Sequence, residues 1–288
     1  MRLARIDDRP VLLREDGIVD VASAGGGRFS GDPMAPFTDW PAFVEWAAGI
    51  AHAEEPVGER ILQNPVPHPT QVFGIGANYH AHVAEAGAAV PDAPLVFTKF
   101  PSCLAGPYDP IPIPTGTVDW EVELVVVIGV RAEHVRAEHA WSHVAGLTVG
   151  QDISDRALQF AGQAPQFSMG KSYPGFGPLG PSVVTPDDVE DPDDLELGCA
   201  LDGDVMQRAR TSDMIFGVPD LIARLSAVCP LLPGDLIFTG TPSGVGAFRK
   251  PPIFLRPGQE LTSWIQGIGQ LRNPTIAAPI GAASSRTG

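Results

Sequence analysis

Residues 120–129 read Trp-Glu-Val-Glu-Leu-Val-Val-Val-Ile-Gly. After its two acids the run is apolar until Gly129, and it reads as a buried β-strand. At about a third of a membrane span, it is too short to cross a bilayer. Residues i and i+2 of a strand project from the same face, so Glu121 and Glu123 aim at one place. Two like charges at the edge of a core are costly unless a cation joins them. The bland alternative is a strand end reaching solvent, with both carboxylates hydrated. The spacing alone leaves both readings open.

Other short β-rich runs surround this one: 72–77, 94–100 and 235–240, punctuated by Gly and Pro. Helical patterns fall at 40–53, 79–87, 132–143, 153–162 and 218–227. Strands and helices do not alternate regularly, which argues against a doubly wound parallel sheet and for a β-rich α+β fold. The 32 Gly and 30 Pro among 288 residues place many side chains in turns and make a helix bundle a poor fit. Residues 1–22 read as short strands, and 54–70 as a connector. The organisation expected is a small N-terminal β-rich domain over 1–66, a catalytic domain over 67–276, and a disordered tail over 277–288.

Composition narrows the partners. With 44% apolar residues the chain can bury a substantial core. Its formal charge is −15, and nine acids between Asp187 and Asp204 meet no Lys or Arg. An acidic chain repels a phosphate backbone, so nucleic acid is excluded as the main partner. Cys103, Cys199 and Cys229 stand too far apart for a C-x-x-C pair, which points to reduced thiols in a cytoplasmic protein. No signal core or membrane segment is evident, so no membrane partner is expected.

Several familiar sites are absent. Gly74-Ile-Gly76 follows a strand, but Tyr79 leaves the dinucleotide fingerprint incomplete. Ser243 is not in a nucleophile elbow. His139 and His143 have helical metal spacing, yet Arg136 and Glu138 suggest a solvated helix. Three other segments carry chemistry. On a helix, Asp152, Arg156 and Gln159 would share one face, with Asp152 as a possible N-cap. A third carboxylate beside Glu121 and Glu123 would complete an oxygen-only set, suited to Mg²⁺ or Mn²⁺ before Zn²⁺. His82 and Glu85, at i and i+3, can form an imidazole–carboxylate pair that acts as a base; His80 points elsewhere. Lys171 sits in a Gly- and Pro-rich loop, where burying its charge demands an anion.

Taken in order, NYHAHVAE, PLVFTKF, DWEVEL, QDISDRALQ, MGKS, FGPLGP, QRARTSDMIF, PGDLIFTGTPSGVG and IQGIGQLRN resemble the blocks of the fumarylacetoacetate hydrolase family over roughly residues 70–273. The resemblance implies a β-roll or β-sandwich with peripheral helices, usually dimeric. It implies that Glu121, Glu123 and Asp152 hold Mg²⁺ or Mn²⁺, that His82 and Glu85 activate water, and that Lys171 stabilises a developing anion. Arg156, Gln159 and Thr241 match substrate-pocket positions, and Lys99 matches a lysine near the metal that is assigned here to substrate binding. The segment 86–94, which can order as a lid in the family, is small and apolar here. Nothing basic in 159–167 is available for a second carboxylate, which disfavours substrates with a long acidic tail.

The activity expected is therefore hydrolysis of a C–C bond in a 1,3-diketo acid, with a 2-oxo carboxylate chelated to the metal and an enolate leaving. Decarboxylation, tautomerisation or isomerisation of 2-oxo diacids such as oxaloacetate is the alternative, and a non-catalytic relative the third. The acids Glu85, Glu121, Glu123 and Asp152 carry −4; a divalent cation with Lys171 and Arg156 balances them.

Overall fold

The computed structural model describes residues 1–53 and 55–278. At its centre is the strand Val122–Ile128, every residue of which is buried. It belongs to a ten-stranded sheet. Along the main path the order is Gly17–Asp20, Arg9–Arg14, Arg2–Ile6, Gly177–Val184, Val144–Gln151, Val122–Ile128, Leu236–Phe238, Val72–Gly76 and Leu95–Thr98. Leu104–Ala105 pairs with Gly177–Val184 off that path. Only that pair and Val72–Gly76 with Leu236–Phe238 are parallel in this sheet. A second sheet runs Asp204–Arg210, Glu196–Leu201, Glu260–Ile265, Gly269–Ala277 and Ile111–Ile113. The fold is the β-rich α+β architecture expected.

Side-chain alternation explains why the central strand is apolar from Leu124 to Ile128. Leu124, Val126 and Ile128 pack in one cluster with Leu197, Cys199, Leu261 and Leu271 of the second sheet. Val125 and Val127 pack in another, with Trp40 and Phe43 of the helix Trp40–Ala48. Burial on two faces removes the polar alternation of a half-exposed strand. Each such side chain contributes roughly 1.5–3 kcal/mol on leaving water.

The first 66 residues extend this same sheet: Arg2 lies opposite Val184, and Leu3 opposite Val183. Their helix shares its core with Val72, Leu236 and Phe238, while Ala4, Ile6, Val11 and Ile18 form a small cluster of their own. At the other end Ala277 still pairs with Ile113, so the strand enters the expected tail. Residues 279–288 lie outside the described residues.

The helical expectations need two corrections. Residues 132–143 form no α-helix: Ala132 bridges to Leu231, and 3₁₀ turns run over Ala137–His143. His139 there is engaged by Arg136 and His143 by the carbonyl of Arg131, so the two rings do not form a pair. The segment 153–162 is a single helical turn, Arg156–Gln159, capped by Asp155 and not by Asp152. Ser154–Asp155 is instead extended and pairs with Val118–Asp119. The acidic run is tied to the surface by Arg210 on Asp194 and Arg208 on Glu196. Among the described residues no helix is long and apolar enough to cross a membrane.

Candidate active site

Antiparallel register brings the acids together. Gln151 lies opposite Val122, so Asp152, just past one strand, meets Glu121, just before the other. The Asp152 N–H donates to the Glu121 carbonyl at 2.9 Å. Glu121, Glu123 and Asp152 each offer an oxygen, and these lie within 4.8 Å of one another, all on buried residues. Hydrated surface acids are thereby excluded. An oxygen-only cup of this size fits a hard divalent cation.

Three cations face these acids. The Lys171 Nζ donates to Glu121 Oε2 at 2.7 Å, Asp152 Oδ2 at 2.6 Å and Ser154 Oγ at 2.8 Å. Arg156 reaches Glu121 Oε1 at 2.7 Å and Asp119 Oδ2 at 2.8 Å. Lys99 donates to Asp152 Oδ1 at 2.6 Å and to the carbonyls of Lys171 and Phe176. Burial pushes the Glu121 carboxyl up, but Lys171 and then Arg156 outweigh it and hold it at about 2. Lys171 is raised because Asp152 and Glu121 overcome its own desolvation. Glu123 makes no ion pair among the described residues and accepts from the Gly240 N–H. Burial, then Asp152 and Glu121, push its carboxyl well above the usual range. It is the acid in the cup that lacks a protein counter-charge, and a divalent cation is the charge it calls for. The sequence-level balance omitted Asp119 and Lys99, which cancel.

A cavity of about 160 Å³ opens beside the cup, lined by His82, Glu121, Arg156, Gln159, Lys171 and Thr241 together with apolar side chains. Lys99 does not line it. Expected as a substrate contact, it is 1% exposed and has its three N–H groups committed to protein oxygens. A wider groove of about 750 Å³, flanked by Met1, Arg14 and Val44, contains none of these acids.

The helix His80–Glu85 carries the two residues expected to act as a base, His82 and Glu85. Its start is fixed by the buried Asn78 side chain, which donates to the Phe216 and Thr239 carbonyls and accepts from Phe216 N–H. His82 Nδ1 lies 3.5 Å from Glu85 Oε2, buried and without an aligned hydrogen bond. Glu85 itself accepts from Gly244 N–H, and Phe248 packs against the His82 ring at 5.6 Å. His80 is exposed.

The family model described as fumarylacetoacetate (FAA) hydrolase C-terminal matches residues 71–276. The chain belongs to the fumarylacetoacetate hydrolase family. It is 44% identical over 223 residues to the human mitochondrial oxaloacetate tautomerase FAHD2A, covering 77% of this chain and 71% of that protein. A Mycobacterium smegmatis protein provisionally named HpcE is 48% identical in structure-based comparison, with a TM-score of 0.91 over 97% of this chain and 100% of that one. The maleylpyruvate hydrolase of Sphingobium sp. SYK-6, solved with manganese(II) and pyruvate, is 30% identical, with a TM-score of 0.77 over 97% and 100%.

In this member of the fumarylacetoacetate hydrolase family, three scaffold residues escaped sequence reasoning. Asp119 is fully buried and accepts from Arg156, from Trp120 N–H, and from Gly246 and Ala247 N–H at 2.7 and 3.0 Å. Gln151 Oε1 accepts from Glu121 N–H, and Gln207 Oε1 from Val122 N–H. These amides hold the backbone on which the acids ride. Gln207 also donates to Thr241 Oγ1, whose hydroxyl donates to the Val122 carbonyl. Asp119 adjoins the quoted strand and could have been suspected there. The two glutamines look like ordinary polar residues until the strands pair.

Proposed function

We propose that the chain is a divalent-cation-dependent enzyme of small 2-oxo acids, working by proton transfer at the carbon next to the keto group. The observation that carries this is the joint lining of one pocket by Glu121 of the acidic cup and by His82, backed by Glu85. Glu121, Glu123 and Asp152 would hold Mg²⁺ or Mn²⁺. Bound there, the cation would supply Lewis acidity toward a 2-oxo carboxylate. His82 takes up the proton, with Glu85, pinned by Gly244 N–H, held 3.5 Å from its Nδ1. Arg156, Gln159 and Thr241 orient the substrate. Lys171 contributes its field, since its three protons are already directed at Glu121, Asp152 and Ser154.

Keto–enol tautomerisation asks least of these groups, needing one base and one acidic C–H, and the human relative's name supports it. C–C hydrolysis, placed first on sequence grounds, is the second reading, supported by the maleylpyruvate hydrolase. It additionally requires His82 to activate water. Product analysis decides: with Mn²⁺, oxaloacetate enol should disappear faster than in buffer. Release of pyruvate from an acylpyruvate would favour hydrolysis. Absence of both changes would refute the enzyme reading.

A homodimer and a cytoplasmic location belong to the same proposal. The strand Leu95–Thr98 ends the main sheet with Leu95 and Val96 exposed, an edge that a second copy could cover. Light scattering that gives only the monomer mass would remove the dimer.

A further inference from the structure

The Gly74-Ile75-Gly76 step, which binds no dinucleotide by its pattern, has a use of its own. A β-carbon on Gly74 would lie 2.4 Å from the Phe97 ring, and one on Gly76 would lie 2.9 Å from Leu95. Glycine weakens a strand interior, and here it lets two large side chains lie flat against the backbone. Phe97 meets Phe167 edge-on at 5.5 Å, and Phe160 meets Phe167 at 6.4 Å. These rings and Leu95 line the same pocket as Glu121 and Lys171, and the Lys171 ammonium sits 5.1 Å over Phe97. The pocket thus sets an aromatic wall beside its charged side chains.

The charges of both cations of this pocket are already met by buried acids, although Arg156 keeps N–H capacity for the substrate's 2-oxo-acid end. Lys171 has three acceptors, and Arg156 reaches Asp119, Glu121 and Gln159. Among the described residues no other lysine or arginine lines it. We propose that the Phe97–Phe160–Phe167 wall is the subsite for the substrate's tail. It selects 2-oxo acids whose far end is an alkyl or aryl group over those ending in a second carboxylate. A carboxylate against these rings loses part of its hydration and meets only cations already bonded to buried acids, whereas an apolar group gains burial. This rests on the 2-oxo-acid reading above and gives it a substrate class, one different from the diacid in the human relative's name.

The test uses the Mn²⁺-loaded protein and two 2,4-dioxo acids of equal length, one ending in methyl and one in carboxylate. Binding is measured by calorimetry and turnover by loss of the dioxo chromophore. The methyl-ended acid should bind at least about tenfold more tightly. Phe160→Arg, a change at an exposed edge of the wall, should narrow or reverse that ratio. Equal or tighter binding of the carboxylate-ended acid overturns the subsite and leaves the 2-oxo-acid reading standing. So does a ratio unmoved by Phe160→Arg. Binding of neither acid overturns both.

Discussion

The Lys99 ammonium lies 2.6 Å from Oδ1 of Asp152, on the carboxylate oxygen that Lys171 leaves free. Both lysines are at least 98% buried. Such a network holds only while each charge keeps its partner, and removing one partner of a buried pair costs about 3–5 kcal/mol. Lys99→Met should therefore lower unfolding stability by about that amount, read by urea denaturation. A substrate-contact lysine would instead raise KM at nearly unchanged stability, and that outcome would restore the sequence-level assignment.

Two neighbouring histidines separate a base from a bystander. His82→Ala should lower turnover on the order of 10²–10⁴-fold, the usual effect of losing a placed base. His80→Ala should change it little, because that ring is exposed. Steady-state rates on the Mn²⁺-loaded variants check both. An essential His80 would reassign the pair.

Asp119 ties Arg156 to the loop that carries Gly244 and Phe248. That loop in turn holds Glu85 and packs on His82. Asp119→Asn keeps the shape and removes the charge. Turnover should fall on the order of 10–100-fold through misplacement of the base, with Mn²⁺ affinity little changed. An equal loss of Mn²⁺ affinity would show that Asp119 supports the cup instead.

The sequence made the cup legible because strand parity is a local rule: Glu121 and Glu123 share a face whatever the rest of the chain does. Asp152 joins the cup through strand pairing and not through the helix that its spacing to Arg156 suggests. A helix from 152 would have placed it beside Arg156, yet the two buried ammoniums claim its carboxylate and Asp155 takes the cap. The engagement of Lys99 was not readable, since its partners come from positions 152, 171 and 176 and meet only when the sheet closes. Gln151 and Gln207 were hidden for the same reason. The boundary at 66 follows a change in pattern, but Arg2–Ile6 bonds to Gly177–Val184, a pairing that spans most of the chain and leaves no local mark.

Titration of Mn²⁺ into the wild-type protein and into Glu123→Gln decides whether the acidic cup holds a metal. The substitution is nearly isosteric, and burial with two acidic neighbours already pushes Glu123 toward its neutral form, so the fold should survive. The wild type should bind one equivalent of Mn²⁺, more tightly with pyruvate present, and the variant should bind it at least about tenfold more weakly. Equal Mn²⁺ affinity in the two proteins, or no binding to either, would contradict it.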